Sequence, residues 1–294
     1  MVQNFPYLNN DAFRKICDHC FWHDGAPVEN AAFRSGDIVF CKIDEVWRIF
    51  RALRRTRKRI VLVTGEGFKP VTPDLYRQKP PHVAHWFGTN MFAIAEDVTP
   101  LPLGVGNAAG GSALRPEEFP VDPPRPENRS LLLYANFTSA TNSAVREPLS
   151  RWVAGKSWIT STGHTGDGGK AAYLEALRRH HFVLCPPGAG EDTHRMWESL
   201  YCGAIPVVRC SPVMRTFHDL PVLFVDEFRN LTEKFLREIL AHWPHEKFSR
   251  LKLRHDYWRD RLEHARGSAR CRGRVTIPEW VAAWAREIKR VAAR

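Results

Sequence analysis

Glu191, Asp192, His194, Arg195 and Glu198 crowd into one segment, PPGAGEDTHRMWESLYCGAIPVV, at residues 186–208. It opens as a Gly/Pro loop and closes as an apolar run. A surface helix has no need of such a cluster beside core residues, whereas a site for a charged ligand does. Gly188 and Gly190 allow a tight turn and close approach of the backbone to a ligand. Asp192 or Thr193 is placed to cap the helix that follows. The free N–H groups and partial positive charge at that helix start suit a phosphate. At about 3.6 residues per turn, His194, Arg195 and Glu198 share one face, with Met196, Trp197 and Leu200 towards the other. Arg195 suits phosphate oxygens through a bidentate fork, and Glu198, one turn on, suits paired ribose hydroxyls. Together they fit a nucleoside diphosphate. The same residues also fit an ion pair of Arg195 with Glu191 or Glu198, and His194 fits a structural histidine.

The elements that must hold this cluster alternate between strand and helix. Runs at 37–42, 59–67, 82–90 and 98–107 read as strands, with a basic helix after the first. A proline-rich, charged stretch at 115–129 reads as a linker. The alternation then restarts: strands at 130–137, 157–163, 181–188, 204–208 and 221–228, and helices at 143–153, 169–180, 192–203 and 231–243. A last helix is expected over 277–294, with Pro278 near its start. Such alternation predicts parallel α/β architecture in two halves. Ligands of such sheets bind beyond the carboxyl ends of the strands, which is where the polar cluster falls. The expected division is 1–125, an acceptor-side domain; 126–275, a nucleotide-binding domain; and 276–294, a helix packing back on the first.

The chain has 294 residues, 44% of them hydrophobic, enough for a large core. No apolar run is long enough to span a bilayer, and the first twenty residues show neither the basic start nor the apolar core of a signal peptide. Cys17 and Cys20 form a C-x-x-C with His19 and His23 nearby, but no second ligand pair has zinc-site spacing. The expectation is a cytoplasmic protein with reduced thiols, peripheral to the inner membrane face if bound to a membrane at all. The formal net charge of +11, concentrated at 48–59 and 261–274, favours anionic partners: nucleotides, acidic glycans, anionic membrane surfaces or nucleic acid. Val46, Ile49, Phe50 and Leu53 give the first basic run an apolar stripe at helical spacing, so it also reads simply as a solvated helix.

The segment FVLCPPGAGEDTHRMWESLYCGAIPVV, followed by LPVLFVDEF, resembles the signature region of exostosin-like glycosyltransferases, above all small bacterial and viral members. The likeness extends to VAHWFGTN, PLPLGVGN and YANFTSATNSAVREP, spanning roughly 37–228. It implies a GT-B fold, two Rossmann-like domains with a cleft between them. It further implies a nucleotide-sugar co-substrate, UDP-sugar first, held by the second domain. The acceptor would be a glycan, a lipid-linked glycan or another hydroxyl compound, and inversion would proceed with no obligatory metal or cofactor. Two glutamates separated by seven residues mark a retaining GT-B group; Glu191 and Glu198 enclose six, so that pattern does not transfer. In this frame Asn136, Thr138, Thr141 and Asn142 offer donors to the diphosphate and Arg146 a positive charge, while 162–169 borders the nucleobase.

An inverting transfer needs a base on the acceptor side. Glu66, between Gly65 and Gly67 at a strand end, is the first candidate, Asp44 the second and His85 the third. Lys42 adds positive charge, and Asn90 and Asn107 end their strands where acceptor hydroxyls would lie. Each of these also fits an ordinary turn or solvated charge. Two other functions compete. One is a nucleic-acid binder, or a sugar transferase acting on modified DNA, through basic-aromatic stretches such as RHDYWRDRLEHAR at 254–266. The other is a non-catalytic nucleotide binder. No nucleic-acid module is recognisable.

Overall fold

A computed structural model describes residues 7–21, 32–107, 114, 118–119, 128–162 and 169–270. The helix expected over 277–294, the loop at 163–168 and most of the proline-rich stretch lie outside the described residues. Two parallel five-stranded sheets form the framework. The first runs β1 (His19–Phe21), β2 (Ile38–Lys42), β3 (Ile60–Gly65), β4 (Val83–Gly88), β5 (Val98–Pro100) in plain sequence order. Helix α1 (Asn10–Arg14) precedes β1, and α2 (Val46–Leu53) and α3 (Pro73–Arg77) lie between later strands. The second contains β6 (Leu131–Ala135), β7 (Ile159–Ser161), β8 (His180–Leu184), β9 (Ile205–Arg209) and β10 (Leu223–Val225) in the order β10-β9-β8-β6-β7. Its helices are α4 (Ser143–Ala154), α5 (Gly169–Arg179), α6 (His194–Tyr201), α7 (Pro212–Arg215) and α8 (Glu233–Ala241), and α9 (His255–Arg270) follows. Two parallel α/β sheets over one cleft are the GT-B arrangement implied by the resemblance.

The first sheet is wound in one direction. Right-handed crossovers therefore place α2 and α3 on the same face. Alternation along the strands separates two cores. Val39, Cys41, Leu62 and Trp86 pack with α2 and α3, including the stripe Val46, Ile49, Phe50 and Leu53. Ile38, Phe40, Val61, Val63 and Phe87 face the opposite way and need another cover. That cover is α9, whose Trp258, Leu262, Ala265 and Ala269 join the same core, with Arg266 Nη1 donating to Asp18 at 2.7 Å. So α9, inside the stretch expected to belong wholly to the second domain, packs on the first sheet. The basic-aromatic run read as a nucleic-acid contact is this helix, and its apolar stripe is buried. The other basic run is helical only as far as Leu53; 54–59 form the turn into β3. Among the described residues no helix is long and apolar enough to cross a membrane.

Candidate active site

In the second sheet the connections diverge: β6 leads through α4 to β7 on one side, and β8 leads through α6 to β9 on the other. Loops leaving adjacent strands in opposite directions open a crevice at the carboxyl ends. A cavity of ≈ 800 Å³ lies there, closed on the far side by loops of the first sheet. Lys42, Asp44, Glu66, Asn90, Asn107, Thr138, Thr141, Arg146, Gly188, Gly190, Asp192, His194, Arg195 and Glu198 all line it. Asn136, Asn142, Glu191 and His85 do not.

On the second-sheet wall, Arg195 stands in the first turn of α6, half-buried. Its Nε is buried and has no hydrogen-bond partner in the protein. One turn on, Glu198 is 8% exposed and accepts from the Tyr173 hydroxyl at 2.6 Å. Burial, then the Glu198 charge, holds the Tyr173 phenol well above its ordinary pKa, so it remains a donor.

Arg146, at the cavity wall, also braces the loops around it. Its Nε donates to Pro187 O, Nη1 to Thr138 O and Nη2 to Pro186 O, each at 3.0 Å, and Nη1 also to Thr141 Oγ1 at 2.6 Å. The guanidinium makes four hydrogen bonds to the two loops that shape the crevice. Burial, then the charge of Arg195, pushes its pKa down to about 10. Asn142 works alongside, its amide donating to Gly188 O at 3.0 Å, and the Asn136 amide donates to Thr162 Oγ1 at 2.9 Å. Neither residue is in the cavity lining. Glu191 turns away to Arg209 (3.0 Å). Replacing Arg146 with Met is expected to destabilise the fold by about 3 kcal/mol, since buried carbonyls lose their donors. Urea unfolding measures this, and an unchanged midpoint would remove the loop-holding role.

Asp192 does not cap α6, and Thr193, in the N-cap position, makes no side-chain cap bond either. The buried Asp192 carboxylate instead accepts from Trp197 Nε1 (2.8 Å) and, across the cleft base, from Leu103 N (2.7 Å). Burial pushes its pKa up to about 6. His194 Nδ1 donates to Gly104 O at 2.7 Å, and Asn90 Oδ1 accepts from Asp192 N at 3.3 Å. Asn90 takes positive φ and fills the space a side chain at Gly190 would need. Asp192, His194 and Asn90 thus tie the two halves together at the cavity wall.

No family model and no curated protein matches this chain. Solved structures do. An α,α-trehalose-phosphate synthase (UDP-forming) from Burkholderia vietnamiensis aligns at 12% identity and TM-score 0.37, over 87% of this chain and 72% of that one. The α,α-trehalose 6-phosphate synthase of Burkholderia multivorans aligns at 11% and 0.37, over 89% and 73%. AviGT4, a glycosyltransferase involved in Avilamycin A biosynthesis, aligns at 14% and 0.33, over 85% and 78%. At these scores substrate and reaction rest on the site's own chemistry.

On the opposite wall, Glu66 follows β3 with φ 53°. A side chain at Gly65 would strike the Asn10 amide, and one at Gly67 the Asp44 carboxylate. The flanking glycines therefore let Asn10, Asp44 and Glu66 converge. Asn107 Nδ2 donates to Glu66 Oε1, and Asn107 Oδ1 accepts from Asp11 N at 3.4 Å. Glu66 has no other hydrogen bond among the described residues. His85 is elsewhere: its Nε2 pairs with Thr99 Oγ1 at 2.8 Å and its ring lies 4.5 Å from Phe87. Burial lowers its pKa. Its position outside the cavity lining, not its protonation, argues against it as the base. Sequence reasoning missed Tyr173, Asn10 and Phe68. Tyr173 hides in the apolar stripe of α5, and Asn10 precedes every recognisable motif. The exposure of Phe68, 73% at the cavity edge, has no counterpart in its neighbours' composition.

Proposed function

We propose that this chain is a glycosyltransferase of the exostosin-like kind, moving a sugar with inversion from a nucleoside-diphosphate sugar, UDP-sugar first, to a hydroxyl acceptor in glycan synthesis. One observation carries the reading: Arg195 and Glu66 face one cavity from opposite walls, each with hydrogen-bonding capacity that the protein leaves unfilled. In this reading Arg195, the N–H groups of the α6 start and the Gly188–Gly190 backbone hold the diphosphate, and Glu198 accepts from the ribose. Glu66 takes the acceptor proton as the oxygen attacks the anomeric carbon from the face opposite the diphosphate. The bond from that carbon to the phosphate oxygen breaks, and its electron pair leaves with the diphosphate. Fixed positive charge receives it, supplied by Arg195 and, through space, by Arg146.

A thermal-shift panel of UDP-, GDP-, CMP- and dTDP-sugars tests the donor. A ligand binding only the folded state stabilises it by about 2.7 kcal/mol at a hundredfold excess over Kd. UDP-sugars are expected to give the largest shift; no shift with any of the four would overturn the reading. Because the positive charge comes from side chains and a helix start, turnover is expected to persist in excess EDTA. Complete loss restored by Mg²⁺ or Mn²⁺ would refute the metal-independent step.

A further inference from the structure

The outer face of α2 and the turn after it are unused by the chemistry above. Arg51, Arg54, Arg55, Arg57 and Lys58 are all exposed and form no ion pair among the described residues. Arg48 is the exception, paired with Glu45 at 3.1 Å. Trp47, in the first turn of the helix, is 45% exposed, and Arg51 and Arg48 lie over its ring at 4.9 Å and 5.5 Å from the centroid. Between Glu45 and Glu66 the sequence contains no acidic residue. The inner face of the same helix is wholly committed to the core, so this is the solvent side of a rigid element. The exposed Trp47 follows the carboxyl end of β2, and the exposed Phe68 follows that of β3, so aromatic rings occur at the rim of the first sheet where the cavity opens.

We propose that this face docks on an anionic lipid bilayer. A row of unpaired cations complements a negative headgroup layer, where each Lys or Arg contributes roughly fivefold in partitioning. An exposed indole prefers the headgroup level, with its apolar body inserted and its N–H wet. Nucleic acid shares the charge complementarity but has no use for an indole on a convex helix face outside a groove. Helix α2 starts two residues after Asp44, which lines the cavity, and runs from that end of the sheet back to the start of β3, so only its first turn, with Trp47, lies on the cavity side. The docking itself is independent of the proposed transfer.

Co-sedimentation of the full chain with phosphatidylcholine vesicles, with and without phosphatidylglycerol, tests this near physiological salt. Binding is expected only with the anionic lipid. Arg51→Glu/Arg55→Glu should lower it roughly a hundredfold or more, and the milder Arg51→Gln/Arg55→Gln roughly thirtyfold. Trp47→Ala should weaken it severalfold. A Lys247→Glu/Arg250→Glu variant carries the same net charge change on an exposed segment elsewhere and should keep wild-type binding. Equal losses in the two charge-reversal variants would reduce the effect to net charge and overturn the site. So would absence of vesicle binding, including the case where wild type binds a duplex DNA oligonucleotide instead and loses it in the α2 variants.

Discussion

Glu66→Gln is expected to slow sugar transfer by ~10²–10⁴-fold, the usual cost of removing a general base, while leaving nucleotide affinity unchanged. The substitution keeps the shape of the side chain and an oxygen to accept from the Asn107 amide, so the turn is preserved. The left-handed backbone at this position tolerates either residue equally. What is lost is the ability to take a proton from the attacking hydroxyl. Such a group acts in the transition state, so the loss should fall on kcat and on kcat/KM alike. Single-turnover kinetics with saturating donor, beside a UDP titration, separate the two effects. Near-normal turnover on a competent acceptor would shift the role to Asp44, on the same wall, since His85 is held at Thr99 outside the cavity.

The layout of the chain was legible because its strands are short apolar runs with turn signals at both ends. Parallel sheets buried on both faces make such runs nearly continuous in Val, Ile and Leu. The location of the cleft followed from the same pattern, since strand ends and ligand crevices coincide in open α/β sheets. What spacing could not tell was which polar residue near the crevice meets the ligand and which builds its walls. Arg146 and Arg195 are equally cationic and both follow strand ends. Only the surroundings distinguish them: Arg146 makes four hydrogen bonds to the loops, three of them to carbonyls, whereas the Arg195 Nε is buried with no partner. Asp192 looked like a helix cap because Asp favours that position. Its actual partners, Leu103 N and Trp197 Nε1, include a group far away in sequence, invisible to any local rule. The role of α9 was hidden for the same reason. A singly wound sheet needs a cover on its second face, and nothing in the composition of 255–270 says which sheet that helix joins.

Arg195→Ala has the second large expected effect, and it separates binding from stability. A guanidinium contacting a diphosphate forms charge-assisted hydrogen bonds worth about 1.5–3 kcal/mol. UDP affinity should fall by the corresponding factor, about ten to a hundred and fifty, while uridine affinity stays near wild type because the nucleoside carries no phosphate. The leaving diphosphate gains charge in the transition state, so turnover should fall further, by ~10²–10³-fold, as when one oxyanion donor is removed. Arg195→Lys keeps the charge but loses the planar fork and should recover only part of either loss. The unliganded fold is expected to respond in the opposite direction. Arg195 leaves a buried nitrogen unpaired, and its charge opposes that of Arg146. Truncation therefore relieves an unfavourable burial, and the melting temperature without ligand should not drop. A residue kept for the fold would behave in reverse, with a lower melting temperature and an unchanged ratio of UDP to uridine affinity. Calorimetric titration of the two ligands together with a thermal melt distinguishes these outcomes, and the second pattern would remove Arg195 from the donor site.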